Sequence, residues 1–389
     1  MPTRRVIVVG AGVGGVVAAR RLRKLLSARD EIVVVDRAAE AAFAPSFPWL
    51  VTGARTASAV TARLGTLLGR SIRVVHGEVV ALDPVARRVT VGDRELDADA
   101  LIVALGAELA PETIPGLAAF GHNLYDAAGA TAMHAALRQL RSGRVVILTA
   151  APAYKCPAAP YETAMLIDAW LRRQGRRAQV EVDVIAAEAA PMPAAGPAIG
   201  VAVSGMLAAK RIGYTPGRQV VHVNPAAGSL QFDDGRVEQV DLLGYVPPHR
   251  APGCVRGSVL AGAGGWIAAD RATLETTFPG VYAIGDVTSI PLASGRPLPK
   301  AGVFAHRQAD VVAANLAHAW TGRGAPAAFD GHGACFVETG DGRAGYGAGN
   351  FYAEPVPGIV LRQPSRIAHW GKVAYERLWL RGIVVGLPG

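Results

Sequence analysis

Long apolar runs that end in glycine or small residues alternate with amphipathic stretches along most of the chain. Arg5–Val9 is a β-branched run, residues 10–15 are rich in glycine, residues 16–26 have helical spacing, and residues 31–35 form a second apolar run that ends at Asp36. This order predicts a strand, a glycine turn, a helix and a second strand, which together make a βαβ unit. No apolar run without charge reaches the roughly 18 residues that a membrane-spanning helix needs.

The turn of this unit carries a G-x-G-x-x-G pattern at Gly10, Gly12 and Gly15. The first glycine permits the tight turn, the second lets a pyrophosphate approach the backbone, and the third allows close packing of helix and strand. The free N–H groups and the dipole of the helix then bind the anion. Asp36 ends the second strand, where a carboxylate can bind a ribose diol. The sequence therefore predicts a dinucleotide site.

Composition and charge exclude several other classes of protein. The chain has 389 residues, of which 51% are hydrophobic and 18% charged, so it has enough apolar residues for two folded domains and is not intrinsically disordered. Three widely spaced cysteines exclude a disulfide framework and a zinc ribbon, and no metal site is expected. The net charge of +9 comes from basic residues scattered along the chain without a recognition motif, so no nucleic-acid partner is expected.

Two later segments indicate which dinucleotide binds. Residues 100–107 form an apolar strand with a small-residue turn, and residues 280–287 form another strand that ends in Gly285-Asp286. They resemble the second and third flavin signatures of flavoproteins with two dinucleotide-binding domains, the superfamily that includes the disulfide reductases. The resemblance implies FAD as the cofactor and Asp286 as the residue that holds its ribityl chain.

The predicted fold is α/β, with two Rossmann-like dinucleotide-binding domains and a C-terminal membrane-interface region. The resemblance implies an FAD-binding domain in two parts, residues 1–110 and 241–330, with the second Rossmann-like domain inserted at 111–240. Residues 331–389 form the C-terminal region.

The second domain lacks a glycine turn. Its first strand, Gly143–Thr149, is where a relative that uses NAD(P)H places a second G-x-G-x-x-G, but residues 150–162 read AAPAYKCPAAPYE. Proline has no N–H to bind a pyrophosphate, and side chains at the glycine positions block its approach. We therefore expect no nicotinamide site.

The same turn carries Cys156, with Lys155 before it and Glu162 six residues after it. It resembles the Lys-Cys-Pro-x-x-Pro-Tyr-Glu motif of sulfide:quinone oxidoreductases and of the flavoprotein subunit of flavocytochrome c sulfide dehydrogenase. In that family a second redox cysteine follows far downstream, and Cys335 occupies its place. The resemblance implies that sulfide reduces a Cys156–Cys335 disulfide. It also implies that Glu162 manages protons, and Lys155 is a candidate for lowering the thiol pKa.

Further cofactor residues follow from this resemblance. The flavocytochrome relatives attach FAD through a cysteine where this chain has Pro45, so non-covalent FAD is expected. Lys300, in a Pro-Lys-x-Gly turn, is predicted to stabilise reduced flavin at its pyrimidine edge. Cys254 matches no family cysteine and is interpreted as structural, and among the histidines only His249 has a motif context. The predicted cofactor-binding residues are Gly10, Ala11, Gly12, Gly14, Gly15, Asp36, Arg37, Pro45, Val79, Ala104, Gly106, Gly285, Asp286 and Lys300.

Residues 365–381 are predicted to form an amphipathic helix. Ile367 and Trp370 begin an apolar stripe, while Lys372 is placed among the basic flanking residues. Such a helix suits a membrane interface, although packing in the core or a dimer interface would give the same pattern. Sulfide:quinone oxidoreductases dock similar helices on the bilayer. The expected partners are therefore sulfide, a quinone and the membrane surface, with a homo-oligomer left open. The expected location is the cytoplasm or the cytoplasmic side of the membrane.

Three alternative functions stay open at this point. A flavocytochrome-type sulfide dehydrogenase would be exported and covalently flavinylated, and neither a signal peptide nor the flavin-linking cysteine is found in the sequence. A type II NADH dehydrogenase is disfavoured by the missing second glycine motif. A flavin-binding scaffold without turnover would have unreactive thiols and a flavin that neither sulfide nor NADH reduces.

Overall fold

The computed structural model describes residues 3–387. The helices in this range are α1 Val13–Leu25, α2 Phe47–Val51, α3 Leu64–Leu68, α4 Leu117–Phe120, α5 Ala127–Gln139, α6 Ala159–Arg173, α7 Pro197–Ala209, α8 Gly253–Arg256, α9 Gly302–Thr321 and α10 Arg366–Leu380. The first twelve strands are β1 Arg5–Val9, β2 Glu31–Asp36, β3 Glu40–Ala42, β4 Thr61–Arg63, β5 Arg73–His76, β6 Val79–Asp83, β7 Arg88–Val91, β8 Arg94–Asp97, β9 Ala100–Val103, β10 Glu108–Leu109, β11 His122–Asn123 and β12 Gly143–Thr149. The others are β13 Val180–Ala186, β14 Gly213–Thr215, β15 Val220–Asn224, β16 Ser229–Phe232, β17 Val237–Gln239, β18 Leu242–Val246, β19 His249–Arg250, β20 Val281–Ala283, β21 His332–Gly340, β22 Arg343–Asn350 and β23 Gly358–Ser365.

The first sheet has five parallel strands in the order β20-β9-β1-β2-β5. Strand β1 is apolar and buried on both faces, as expected for a parallel sheet that is covered on two sides. Helix α1 packs against α9 on one side of it. The predicted βαβ unit is confirmed, with one difference. The helix begins at Val13 rather than residue 16, because the last glycines of the motif, Gly14 and Gly15, form its first turn.

The second sheet also has five parallel strands, in the order β11-β18-β12-β13-β14. Strand β12 has the bounds predicted from the sequence, and α6 connects it to β13. Strand β18 belongs to this sheet although it follows residue 240, where the second domain was predicted to end. The domain limits stay predictions. Parallel sheets flanked by helices confirm the predicted α/β class.

The C-terminal region is an antiparallel sheet, β21-β22-β23, followed by α10. Strand β21 packs against α6, which begins just after Cys156. Helix α10 has the bounds of the predicted amphipathic helix to within one residue, and the Ser365 hydroxyl caps it by accepting a hydrogen bond from the Ala368 N–H at 3.1 Å. Across residues 3–387, we find no helix with the length and apolarity required to cross a bilayer.

One residue of α10, Lys372, lies on a different side of the helix from the one predicted. Ile367 and Trp370 are 85% and 62% exposed, as an interfacial apolar stripe requires. Lys372, however, was placed on the basic flank and is instead buried, together with Glu376 and Trp379. The helix turns this side toward the protein because each buried charge has an ion-pair partner there.

Candidate active site

A cleft of about 600 Å³ lies at the carboxyl ends of β1, β2 and β9. We call it the cofactor cleft. Of the predicted cofactor residues, only Gly15 and Lys300 do not line it. The residues that do line it are Gly10, Ala11, Gly12, Gly14, Asp36, Arg37, Pro45, Val79, Ala104, Gly106, Gly285 and Asp286. This position matches the rule that ligands of open α/β sheets bind outside the carboxyl ends of the strands.

The three motif glycines have different local surroundings. Gly10 has a φ of +100°, and a Cβ there would lie 2.5 Å from the Ala104 carbonyl oxygen. A Cβ on Gly15 would lie 1.8 Å from the Gly10 carbonyl oxygen, so this glycine serves packing inside the turn. A Cβ on Gly12 would meet nothing within 4 Å, which leaves open space at the uncapped start of α1. That open space fits a pyrophosphate.

Two aspartates, Asp36 and Asp286, line the cofactor cleft. Asp36 accepts hydrogen bonds from the N–H groups of Ala11 at 2.7 Å and Ala38 at 2.8 Å, so its carboxylate also fastens the glycine turn. Asp286 has a buried Oδ1 with no hydrogen-bond partner among the described residues. Burial raises the pKa of Asp286, while the charges of Lys155 and Lys300 oppose this. An unpaired buried acceptor facing the cleft fits a hydroxyl donor such as the ribityl chain of FAD.

Lys300 lies beside the cofactor cleft rather than in its wall. Its ammonium donates to the carbonyl oxygens of Asp286 at 2.6 Å and Thr288 at 3.0 Å, and it lies 3.5 Å from the centre of the Trp266 ring. Burial lowers the pKa of Lys300 to about 8, against the opposing charge of Asp286. These two carbonyl groups hold the ammonium in place. The predicted contact of Lys300 with the flavin stays a prediction.

A second cavity, of about 320 Å³, adjoins the cleft, and we call it the apolar cavity. Cys156 and Cys335 both line it, and aliphatic side chains such as Ile199, Ile359 and Leu361 make up much of its wall. Cys156 also lines the cofactor cleft, whereas Cys335 does not. The structure therefore brings the two predicted redox cysteines to one cavity and gives one of them access to the cleft.

All three cysteines are free thiols in this structure. Cys156 and Cys335 each face a cavity, but protein surrounds them, and this burial raises the pKa of both thiols, that of Cys335 to about 12. Negative charge on Cys335 raises the pKa of Cys156 further, whereas Lys372 lowers the pKa of both. Lys155 was a candidate for this cation, but its charge acts on Asp286 and His249. The cation that acts on both thiols is Lys372 on α10.

Glu162, the predicted proton carrier, is only 2% exposed. Its Oε1 accepts hydrogen bonds from the Lys372 ammonium at 2.8 Å and from the Glu338 N–H at 2.7 Å. Burial lowers the pKa of Lys372, but the charges of Glu162 and Glu338 outweigh it and raise the pKa overall. Lys372 was not among the site residues predicted from the sequence. Lysine is rare in this arginine-rich chain, with five lysines among 40 basic residues, and that rarity was the available signal.

A hydroxyl cluster fills the region after β12, where a second glycine turn would lie. The Glu188 carboxylate accepts hydrogen bonds from the hydroxyls of Thr149 at 2.6 Å, Tyr161 at 2.7 Å and Tyr154. Glu188 follows β13, the position from which a Rossmann fold binds a ribose. Because three hydroxyls already occupy this carboxylate, it is not free to bind a nucleotide.

Cys254 and His249 do not line the apolar cavity that Cys156 and Cys335 share. Cys254 lines the cofactor cleft but not the apolar cavity, and burial raises its pKa to about 11. The Nδ1 of His249 lies 2.8 Å from the Pro247 carbonyl oxygen, and burial lowers the pKa of this imidazole to about 3. We assign neither residue a catalytic role.

Comparison with known proteins places this geometry in context. The pattern of the family described as pyridine nucleotide-disulphide oxidoreductase matches residues 4–309. A sulfide-quinone reductase of Aquifex aeolicus (strain VF5) is 25% identical over 405 residues, which cover 97% of this chain and 90% of the relative. The mitochondrial sulfide:quinone oxidoreductase of Mus musculus is 24% identical over 305 residues, covering 74% of this chain and 66% of the relative.

Solved structures show the same fold. The crystal structure of the sulfide:quinone oxidoreductase from Aquifex aeolicus matches with a TM-score of 0.87 at 23% identity, over 98% of this chain and 92% of that one. NDH2 of Plasmodium falciparum in complex with NADH matches with a TM-score of 0.73 at 12% identity, over 98% and 96%. These likenesses confirm the two predicted dinucleotide-binding domains. Together with the curated relatives, they also confirm the prediction of an FAD-dependent oxidoreductase similar to sulfide:quinone oxidoreductases.

Proposed function

Because the chain belongs to the pyridine nucleotide-disulphide oxidoreductase family, we propose that it is a sulfide:quinone oxidoreductase. It takes two electrons from sulfide through Cys156 and Cys335 and passes them by way of FAD to a quinone. The observation that carries this proposal is the position of Cys156, which lines the cofactor cleft and the apolar cavity, while Cys335 lines the apolar cavity alone. A sulfur species in the apolar cavity can thus reach a cysteine pair of which one member, Cys156, also lines the cofactor cleft.

The reaction starts from the disulfide form of the pair. Hydrosulfide bonds to the sulfur of Cys335 and breaks the disulfide, which leaves a persulfide on Cys335 and a thiolate on Cys156. Bound FAD would supply the two-electron acceptor for the Cys156 thiolate and the carrier from which the quinone takes the pair. A second hydrosulfide takes the outer sulfur of the Cys335 persulfide as polysulfide, and the Cys335 sulfur freed in this way bonds again to the Cys156 sulfur, which has given up its electron pair. Overall, hydrosulfide, one proton and the quinone give sulfane sulfur and quinol.

Glu162 and Lys372 are the groups placed to handle protons and charge in this reaction. Lys372 carries the positive charge that favours a thiolate on either cysteine, against the burial that disfavours it. Glu162 bonds to Lys372 directly, so a proton can pass between carboxylate and ammonium without a water molecule. We therefore propose Glu162 as the acid–base group and Lys372 as its partner.

The residues of the cleft support non-covalent binding of FAD. Pro45 lines the cleft where the flavocytochrome relatives have the flavin-linking cysteine, and proline cannot form that link. We propose that Gly12 and the start of α1 bind the pyrophosphate. Asp36 would bind the adenosine ribose, and Asp286 would bind the ribityl chain.

We propose that α10 docks on a membrane surface and brings the site to its quinone. Ile367, Trp370 and Ala374 form an exposed stripe along the helix, and Arg366 and Arg377 are exposed beside it. An exposed Trp in an apolar stripe with a basic flank suits the interface of a bilayer with anionic lipid. On this proposal the protein is peripheral to the membrane.

The second Rossmann-like domain favours sulfide over NADH as the electron donor. The turn after β12 carries prolines instead of glycines, and the Glu188 carboxylate is occupied by three hydroxyls. The likeness to an NADH-bound NDH2 concerns the fold alone. The acid at the ribose-binding position of the second Rossmann-like domain is therefore not free to bind NADH, which supports sulfide as the electron donor.

Anaerobic stopped-flow absorbance tests the proposal. We expect sulfide to bleach the flavin absorbance near 450 nm rapidly in the wild type, and NADH to leave it unchanged. Cys156→Ser and Cys335→Ser should each abolish the bleaching, while Cys254→Ser, a matched cysteine outside the apolar cavity, should retain it. Rapid bleaching by NADH, or bleaching by sulfide that survives both Cys156→Ser and Cys335→Ser, would refute it.

A further inference from the structure

Cys156 has an unusual backbone conformation for a residue with a side chain. Its φ is +49°, in the left-handed region that is sterically unfavourable for a residue with a Cβ. Its N–H donates to the Lys300 carbonyl at 2.7 Å, and its own carbonyl accepts from the Ala159 N–H at 3.0 Å at the start of α6. Such a conformation persists only where neighbouring groups hold it.

A tyrosine supplies a further hold on this conformation. The Tyr125 hydroxyl donates a hydrogen bond of 3.0 Å to the Cys156 carbonyl. Tyr125 is 6% exposed, and it lines the cofactor cleft. We propose that Tyr125 is a positioning residue that fixes the backbone of Cys156 so that its thiol borders the cofactor cleft.

The position of Tyr125 is itself fixed by its surroundings. Its N–H donates to the Asn123 side chain at 2.9 Å. The edges of the Tyr154 and His249 rings pack against it with ring centres 6.3 Å and 5.6 Å away. Because these contacts already fix the ring, the Tyr125 hydroxyl loses little conformational entropy when it donates to the Cys156 carbonyl.

Neighbouring tyrosines show that this hydrogen bond is distinct from the hydroxyl cluster. Tyr154 and Tyr161 are also buried, but their hydroxyls donate to the Glu188 carboxylate. Among the described residues, Tyr125 provides the side-chain hydrogen bond to the Cys156 backbone. Tyr161→Phe is therefore a matched control, because it removes a buried tyrosine hydroxyl from the same region without touching Cys156.

The inference rests on the proposed function for its link to electron transfer. A thiolate passes electrons to the flavin only from a narrow range of positions. Loss of the hydrogen bond from Tyr125 lets the Cys156 peptide group move, so the Cys156 thiolate spends less time in that range. A neutral hydrogen bond is worth about 0.5–1.5 kcal/mol net, which corresponds to a rate change of about 2- to 12-fold.

The first measurement needs neither flavin nor sulfide. The apoprotein is reduced and treated with iodoacetamide, and alkylation of Cys156 is followed by peptide mass spectrometry in the wild type, Tyr125→Phe and Tyr161→Phe. We expect alkylation of Cys156 to be several-fold faster in Tyr125→Phe and unchanged in Tyr161→Phe. Equal rates in all three proteins would overturn the inference. If Tyr125→Phe folds poorly, Asn123→Ala, which releases the Tyr125 backbone, provides the same comparison.

The second measurement uses the FAD-loaded protein. Stopped-flow reduction by sulfide should be slower by the stated factor in Tyr125→Phe, with weaker long-wavelength absorbance from thiolate in contact with flavin. Reoxidation by decylubiquinone after reduction with dithionite should be unchanged. Faster alkylation combined with unchanged reduction by sulfide would overturn the link to electron transfer. A wild-type flavin that sulfide does not reduce would instead refute the proposed function, and the alkylation rates would still decide the role of Tyr125.

Discussion

Lys372 donates a hydrogen bond of 2.8 Å to Glu162, although 210 residues separate them in sequence. Both side chains are nearly inaccessible to solvent, at 5% and 3% exposure. The ion pair joins the C-terminal helix α10 to α6, the helix that begins beside Cys156. The helix that carries the exposed apolar stripe therefore also completes the charged surroundings of Cys156 and Cys335.

Removing the cation of this pair should destabilise the protein strongly. Lys372→Met leaves the Glu162 carboxylate buried without its partner, which costs about 3–5 kcal/mol. The measurement is the free energy of unfolding in urea, with FAD present at saturation. Lys24→Met, at an exposed lysine, is the control and should change the free energy of unfolding by less than about 0.5 kcal/mol.

The double variant Lys372→Met, Glu162→Gln separates the charge effect from the loss of packing. Because it leaves no buried ion unpaired, we expect it to recover more than half of the lost stability while sulfide oxidation stays impaired. A double variant as unstable as Lys372→Met alone would mean that the lysine stabilises the fold by packing, against our interpretation.

The raised pKa of Cys335 predicts a loss of stability at alkaline pH. An unfolded thiol releases its proton near pH 8.5, whereas the folded Cys335 holds it to about pH 12. The unfolded chain therefore binds fewer protons above pH 8.5, so this contribution to stability is fully present below that pH and falls as the pH rises toward 12. At pH 10.5 the loss should be about 1–3 kcal/mol.

Urea unfolding of the reduced protein between pH 7.5 and 10.5 measures this effect. Other groups titrate in the same pH range. The quantity to compare is therefore the difference in the free energy of unfolding between the wild type and Cys335→Ser. We expect this difference to shrink with increasing pH. A difference that stays constant would show that the Cys335 thiol has an ordinary pKa.

Asp286 should show opposite effects on the apoprotein and on FAD binding. Its buried Oδ1 has no hydrogen-bond partner within residues 3–387, and burial raises its pKa, so Asp286→Asn removes an unfavourable buried charge. We expect the apoprotein of this variant to unfold at a temperature equal to or above that of the wild type. Its affinity for FAD, measured by fluorescence quenching, should fall by about 10-fold or more because a charged acceptor of the ribityl hydroxyl is lost. Unchanged affinity would remove Asp286 from the cofactor site.

Two glycines of the same motif should respond differently to alanine. At Gly15 a Cβ would lie 1.8 Å from the Gly10 carbonyl oxygen, so Gly15→Ala should impair folding. At Gly12 a Cβ would meet no atom within 4 Å, so Gly12→Ala should fold normally and bind FAD more weakly. Circular dichroism and an FAD titration on both variants distinguish the two effects. Normal FAD binding by Gly12→Ala would contradict our placement of the pyrophosphate.

The exposed and buried tryptophans of α10 test membrane docking. Trp370→Ala should leave the unfolding temperature nearly unchanged and reduce co-sedimentation with vesicles of anionic lipid by several-fold, because Trp370 is 62% exposed. Trp379→Ala should lower the unfolding temperature instead, since Trp379 is buried and packs 5.1 Å from the Phe43 ring centre. Equal vesicle binding by wild type and Trp370→Ala would contradict docking through this stripe.

Features that depend on residues close together in the sequence could be predicted from it. The glycine turn at residues 10–15, the strand Gly143–Thr149 and helix α10 each follow from a local pattern, and the structure has them at or close to the predicted bounds. A family motif located Cys156 and Cys335, because their surroundings resemble known segments. The structure places both at one cavity.

Features that depend on the packing of distant elements could not be predicted. A helical pattern does not show which polar residue faces a buried acid on another helix, so Lys372 was assigned to the exposed side of α10. For the same reason, the cation near the thiols was expected at Lys155, the adjacent residue, although Lys372 supplies it. The hydrogen bond from Tyr125 to Cys156 also joins separate segments, and no sequence motif marks it.

Cys156 forms part of the partition between two chambers, one apolar and one shaped for a nucleotide. On the proposed function, a sulfur compound in the apolar chamber and FAD in the nucleotide chamber would exchange electrons by way of Cys156. An inhibitor that plugs the apolar chamber should leave flavin content and quinone-dependent reoxidation intact. Donor and acceptor half-reactions can accordingly be blocked, or redesigned, one at a time.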